Sequence, residues 1–141
     1  MEGTAVKYLM DTAPWINAVT LPESVPGRIR DLLGTNDPVG LCSVSLLETA
    51  ILHRLGRLRM RATLPEFFAA AMAANLELLE LTPAIASKTN DLSADFQGDP
   101  FDRAIAATAA ILHLTLITTD AATRDAKVCA VEYYPFRLIR I

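Results

Sequence analysis

The sequence predicts a three-layer α/β/α domain on a mainly parallel, five-stranded sheet. Three observations carry this expectation. Five short apolar runs alternate with helical segments, the order that a parallel sheet with crossover helices requires. Acids stand directly after the first and fourth runs, where strands of such a sheet deliver their C-terminal ends to a crevice. The 141 residues show neither a repeat period nor a linker, so one domain spanning 1–141 with a single core is expected.

Taken in order, Val6–Met10 is a strand that exits at Asp11, and Asp11 and Thr12 suit a loop and helix N-cap before Pro14, Trp15 and Ile16. A Pro- and Gly-punctuated stretch follows, with a helix over Arg28–Leu33 ended by Gly34 and Asn36. The second strand, Val39–Cys42, leads through Ser43 to a helix over Val44–Leu55 that Gly56 stops. An alanine-rich helix covers Leu64–Ala74, with Pro65 in its first turn, and a third strand runs Leu76–Leu81. Thr82 and Pro83 open a helix to Thr89. After a polar segment, Asp99 and Pro100 start the longest helix, through Ala110 or beyond. The fourth strand is Leu114–Thr118, a short helix or turn covers Ala121–Asp125, and the fifth strand is Lys127–Val131.

A chain that is 52% hydrophobic and only 21% charged is globular, which excludes a disordered chain or a nucleic-acid-coating tail. The net charge of −3 gives no gross attraction to nucleic acid, and 6% aromatic residues leave few rings for stacking bases. Positive charge is instead local: Arg54, Arg57, Arg59 and Arg61 gather in HRLGRLRMR, either as phosphate contacts beside an acidic centre or as a solvated helix end. Cys42 and Cys129 sit in apolar company and read as buried free thiols. The start MEGTAVKYLMD lacks the basic leader and apolar core of a signal peptide, and the apolar stretch 104–119 is short of a membrane span, so a cytoplasmic protein is expected.

Four acids, Asp11, Glu48, Asp102 and Asp120, can be gathered in one place by this order of elements. Each also has a plain structural reading. Asp11 suits a helix cap, Ser45 with Glu48 has the spacing of a capping box, and Asp120 suits an Asx turn. If the helix starts at Ser43, Glu48 instead lies in its second turn. Asp99, Pro100 and Asp102 read as N-cap, N1 and N3, which leaves Asp99 an auxiliary acid. Arg103 either orients Asp99 or Asp102 or reaches a phosphate, or it has a surface role. Clustered carboxylates repel one another unless a cation holds them, and oxygen-only ligands favour Mg²⁺ or Mn²⁺. Such a centre suits hydrolysis of a phosphodiester, by one ion or two. His53 and His113 are too separated to propose zinc, and His113 reads as a core-edge residue. No Walker, GxGxxG or GxSxG pattern is present. A phosphoaspartyl receiver would need a paired acid near the first strand, where Met10 stands, and a late strand-end lysine.

These blocks resemble the PIN-domain ribonucleases, and among them the VapC-like toxins of type II toxin-antitoxin systems. YLMDT resembles the opening strand and first acid, SVSLLETAILHRLGRL the second block, GDPFDRAIAATA the third, and LITTD the last. The resemblance implies a PIN-like fold, a Mg²⁺ or Mn²⁺ centre on Asp11, Glu48, Asp102 and Asp120, cleavage of RNA, a homodimer, and inhibition by a cognate VapB-like antitoxin. It also implies supporting roles for Thr12 and Ser43, with Thr12 orienting Asp11 or a metal-bound water. Ala13-Pro14-Trp15 and His53 depart from the residues frequent at those places. The alternative within the family is a catalytically weak or inactive module that binds RNA or a protein.

Overall fold

The computed structural model describes residues 6–72, 75–94, 96 and 98–135. The elements run β1 (Tyr8–Met10), α1 (Thr12–Thr20), a 3-10 turn (Pro22–Ser24), α2 (Gly27–Leu33), β2 (Val39–Cys42), α3 (Val44–Arg54), α4 (Leu64–Met72), β3 (Leu76–Leu79), α5 (Pro83–Asp91), α6 (Pro100–Leu112), β4 (Thr115–Thr118), α7 (Ala121–Ala126) and β5 (Val131–Tyr133). The five strands lie in the order β3-β2-β1-β4-β5, and each neighbouring pair is parallel. Consecutive strands step outward from β1 to one side and then cross to the other. The strand order therefore reverses at β1, and a crevice opens beyond the C-terminal ends of β1 and β4.

Alternation along the strands covers both faces of the sheet. Met10, Leu41 and Ile117 join a core with Trp15, Ile16, Ile29 and Phe67, in which the Trp15 and Phe67 rings meet edge to face at 5.5 Å. Leu9, Cys42 and Leu116 turn the other way, against Ile105 and Ala109. Helix α6 is buried continuously from Ala104 to Ala109, and four of those six residues are alanine. Small side chains let this helix lie close to the sheet, with Ala106 and Ala107 packed on Ile85, Leu92 and Phe96. The result is the expected three-layer arrangement.

Three expectations change. The fifth strand lies at Val131–Tyr133 rather than Lys127–Val131, because Lys127 closes α7 at φ 56° and pairing with β4 begins only at Val131. His113 is exposed and is the left-handed C-cap of α6, not a core-edge residue. Cys129 is only half-buried, whereas Cys42 is buried. Ala74, the expected end of the fourth helix, lies outside the described residues, and α4 is described to Met72. No helix among the described residues is long and apolar enough to cross a membrane.

Candidate metal centre

β1 places the first acid. The Asp11 N–H donates to the Ile117 carbonyl at 2.9 Å, which carries the β1–β4 pairing one residue past the strand. The carboxylate then caps α1, accepting from the Thr12 N–H at 2.8 Å on Oδ1 and from the Thr118 hydroxyl at 2.7 Å on Oδ2. Asp11 is only 8% exposed. Burial pushes its carboxyl above the ordinary range, the two hydrogen bonds oppose that, and Asp120 and Asp99 repel its charge.

Glu48 sits in the second turn of α3, whose N-cap is Ser43. The capping-box reading of Ser45 and Glu48 is therefore not what forms. Ser43 has α-helical dihedrals and caps nothing through its side chain, while its N–H donates to the Leu79 carbonyl at 2.9 Å. The Glu48 side chain turns inward and accepts from the Thr12 hydroxyl at 2.5 Å. Thr12 thus orients Glu48 through its hydroxyl and Asp11 through its backbone. Burial raises the Glu48 carboxyl, Thr12 lowers it, and Asp11 and Asp99 raise it further.

Asp99 and Asp102 open α6 as a reciprocal capping box. The Asp102 N–H donates to Asp99 Oδ1 at 2.9 Å, and the Asp99 N–H donates to Asp102 Oδ2 at 3.3 Å. Gly98 permits this approach, since a Cβ there would lie 2.8 Å from Asp102 Cβ and 2.9 Å from the Phe96 ring. Asp99, an auxiliary acid in the sequence reading, stands with the principal ones: oxygens of Glu48, Asp99 and Asp102 all lie within 4.8 Å of one another. The Asp102 carboxyl is pushed up to about 7, first by burial, then by the charges of Asp99, Asp11 and Glu48. The ion pairs among the described residues, Lys7–Asp37, Arg28–Glu132 and Arg124–Asp125, leave all these acids unmatched.

Asp120 stands at the crevice as the N-cap of α7, accepting from the Ala122 N–H at 3.2 Å and the Thr123 hydroxyl at 2.7 Å. Thr118 ties it to Asp11, because the hydroxyl that donates to Asp11 also accepts from the Asp120 N–H at 3.0 Å. Sequence reasoning passed over Thr118 and gave Ser45 only a capping role. The available signal was a hydroxyl where an apolar strand or helix approaches an acid.

No described ion pair joins an arginine to these acids. Arg103 points its guanidinium at the carbonyls of Phe96 (2.9 Å) and Thr89 (2.7 Å), bracing the segment before Asp99 instead of orienting Asp99 or Asp102. Arg59 and Arg61 line a cavity with Val19 and Thr20, at the end of α1 remote from Thr12, roughly 12 Å along the helix. Arg54 ends α3, and Arg57 is exposed on the turn beyond it. Burial pushes the Cys42 and Cys129 thiols up to about 11, and neither belongs to the group of close ligand atoms that Glu48, Asp99 and Asp102 form among the described residues. What remains is an all-oxygen donor set with uncompensated negative charge, and that fits a hard divalent cation.

No curated protein matches the sequence. Solved structures share the fold. A chain in the crystal structure of VapBC2 from Rickettsia felis, bound to a DNA fragment from their promoter, superposes with a TM-score of 0.69 at 15% identity, over 91% of this chain and 98% of that one. A chain of DNA-bound VapBC from Salmonella typhimurium gives 0.68 at 21% identity, over 91% and 98%. FitAcB from Neisseria gonorrhoeae gives 0.63 at 20%, over 93% and 99%. The PIN domain profile matches residues 8–128, a span that runs from β1 to just past α7 and includes every acid of the crevice. With that match over most of its length, the chain belongs to the PIN domain family.

Proposed function

We propose that this protein is a metal-dependent endoribonuclease of the VapC type, the toxin of a toxin-antitoxin pair. The observation that carries the reading is the crevice itself: Glu48, Asp99 and Asp102 within 4.8 Å of one another, Asp11 near enough for its charge to act on Glu48 and Asp102, and no ion pair among the described residues to match them. Glu48, Asp99 and Asp102, with Asp11 and Asp120 bordering, would hold Mg²⁺ or Mn²⁺. Such an ion supplies activation of water and neutralisation of charge on the attacked phosphodiester.

The chain's own residues do the rest. Thr12 and Thr118 fix Glu48 and Asp11 with neutral donors that add no counter-charge. The N-terminus of α6 presents its two capping-box aspartates together. RNA reaching Arg54, Arg57, Arg59 or Arg61 would meet them as backbone contacts without sequence information, and Arg59 and Arg61 would meet it at the far end of α1.

The VapBC structures support a VapB-like antitoxin as partner, and the exposed apolar residues Leu47 and Leu55 on the α3 side suit a protein contact. A homodimer in the cytoplasm completes the reading, and sedimentation at several concentrations checks it. Purified, partner-free protein should cleave RNA with Mg²⁺ or Mn²⁺ and stop on chelation. Co-expression with the small protein encoded beside it should suppress that cleavage. Folded, metal-loaded protein that cleaves no structured or single-stranded RNA would leave a non-catalytic binding module as the function.

A further inference from the structure

We infer that Ser45 is a positioning residue for the metal ligand Glu48, acting through Thr12 in a one-way chain of hydroxyls. The inference rests on the metal-centre reading above and adds a residue it does not contain. Thr12 Oγ1 donates to Glu48 Oε1 at 2.5 Å and lies 2.8 Å from Ser45 Oγ. A hydroxyl carries one proton. Since the Thr12 proton goes to the carboxylate, the 2.8 Å contact runs from the Ser45 O–H to Thr12 Oγ1, and the order is Ser45 to Thr12 to Glu48.

The placement has a cost that packing alone does not explain. Ser45 is fully buried, Thr12 is 3% exposed, and both stand where α3 faces α1. An alanine at 45 would fill much of the same space without a hydroxyl to desolvate. The α3 backbone is satisfied independently, since the Ser45 carbonyl accepts from the Thr49 hydroxyl at 2.7 Å. The Ser45 hydroxyl has one described partner, and that partner holds Glu48. A donor chain ending on a carboxylate polarises along its length, so the first hydroxyl strengthens the last bond. Groups behind metal ligands typically change metal affinity by about 10- to 100-fold.

The test is Mn²⁺ titrated calorimetrically into the metal-free protein, with circular dichroism as the control for folding. Thr12→Val should weaken Mn²⁺ binding about tenfold and Ser45→Ala about three- to tenfold. The double variant should bind within about twofold of Thr12→Val alone, because the chain is already cut. In a Thr12→Ser background, which keeps the hydroxyl, Ser45→Ala should again cost its full factor. Should Ser45→Ala unfold, Ser45→Cys makes the same comparison with a much weaker donor. Wild-type Mn²⁺ affinity in folded Ser45→Ala, or losses that multiply in full in the double variant, would overturn the chain alone. A wild-type protein that takes up no Mn²⁺ would overturn the metal centre and the inference with it.

Discussion

The two walls of the crevice hold their acids by different means. On the β1 and α3 wall, Asp11 and Glu48 each receive a hydroxyl proton, from Thr118 and Thr12, and both threonines are buried. On the α6 wall, Asp99 and Asp102 meet backbone N–H groups of their own turn and otherwise face each other and Glu48. The first wall is pre-arranged by neutral donors. The second is desolvated and crowded with like charge: burial first, and then the charges of Asp99, Asp11 and Glu48, push the Asp102 carboxyl up to about 7. A stiff wall of oriented oxygens opposite a wall short of positive charge is an arrangement that a cation completes.

Removing charge from either wall should have the largest effect. Asp11→Asn, Glu48→Gln and Asp102→Asn should each lower metal-dependent RNA cleavage on the order of 10³-fold, with circular dichroism unchanged. The walls should then part in stability. Metal-free Asp102→Asn should melt about 2 to 4 °C higher than wild type at pH 8, because it removes a buried charge and the repulsion around it. Asp11→Asn also removes a buried charge, but it disturbs the hydrogen bonds from Thr12 and Thr118 that the wall already has, so it should not share that gain. Equal stability changes at the two positions would erase the contrast.

Asp99→Asn should come next. Asparagine caps a helix as well as aspartate does, so the melting temperature should hold within about 2 °C while Mn²⁺ affinity falls about tenfold. An unchanged affinity by calorimetry would return Asp99 to the auxiliary role that the sequence suggests.

Thr118→Val probes the stiff wall. It keeps the shape of a fully buried residue but removes the donor to Asp11 and the acceptor for the Asp120 N–H. Chemical denaturation should show a loss of about 1–3 kcal/mol. A loss below about 0.5 kcal/mol would mean that water replaces the hydroxyl freely.

Arg59→Ala and Arg61→Ala should do least. Both line the far end of α1, and each should alter single-turnover cleavage by less than about threefold at moderate salt. A larger loss would bring the substrate path across that end of the molecule.

Much of this was legible in the sequence because the signals were local. The runs at Val6–Met10 and Val39–Cys42, the Thr82-Pro83 and Asp99-Pro100 helix starts and the order of the acids all follow from neighbours in the chain. The misses came where a distant partner decides. Glu48 chose Thr12, 36 residues away, over a capping box with Ser45. Thr118 chose Asp11, 107 residues away. Arg103 chose two carbonyls over the adjacent acid. The fifth strand was misplaced by a backbone reversal at Lys127, a residue type with no particular preference for φ 56°.

Mn²⁺ calorimetry across pH tests most directly whether these buried, mutually repelling carboxylates await a cation. The folded Asp102 carboxyl holds its proton up to about 7, against an ordinary 3.8. Between those values the folded protein binds more protons than the unfolded chain. The contribution of this group to metal-free stability therefore falls as pH rises from about 4 to about 7, and Asp11 and Glu48, also raised, add the same sign. A bound cation must displace the proton, so Mn²⁺ affinity should rise about tenfold from pH 6 to pH 8 with proton release. Asp102→Asn should abolish both the binding and its pH dependence. No Mn²⁺ binding by the wild type, a pH-independent affinity, or wild-type affinity in Asp102→Asn would contradict the account.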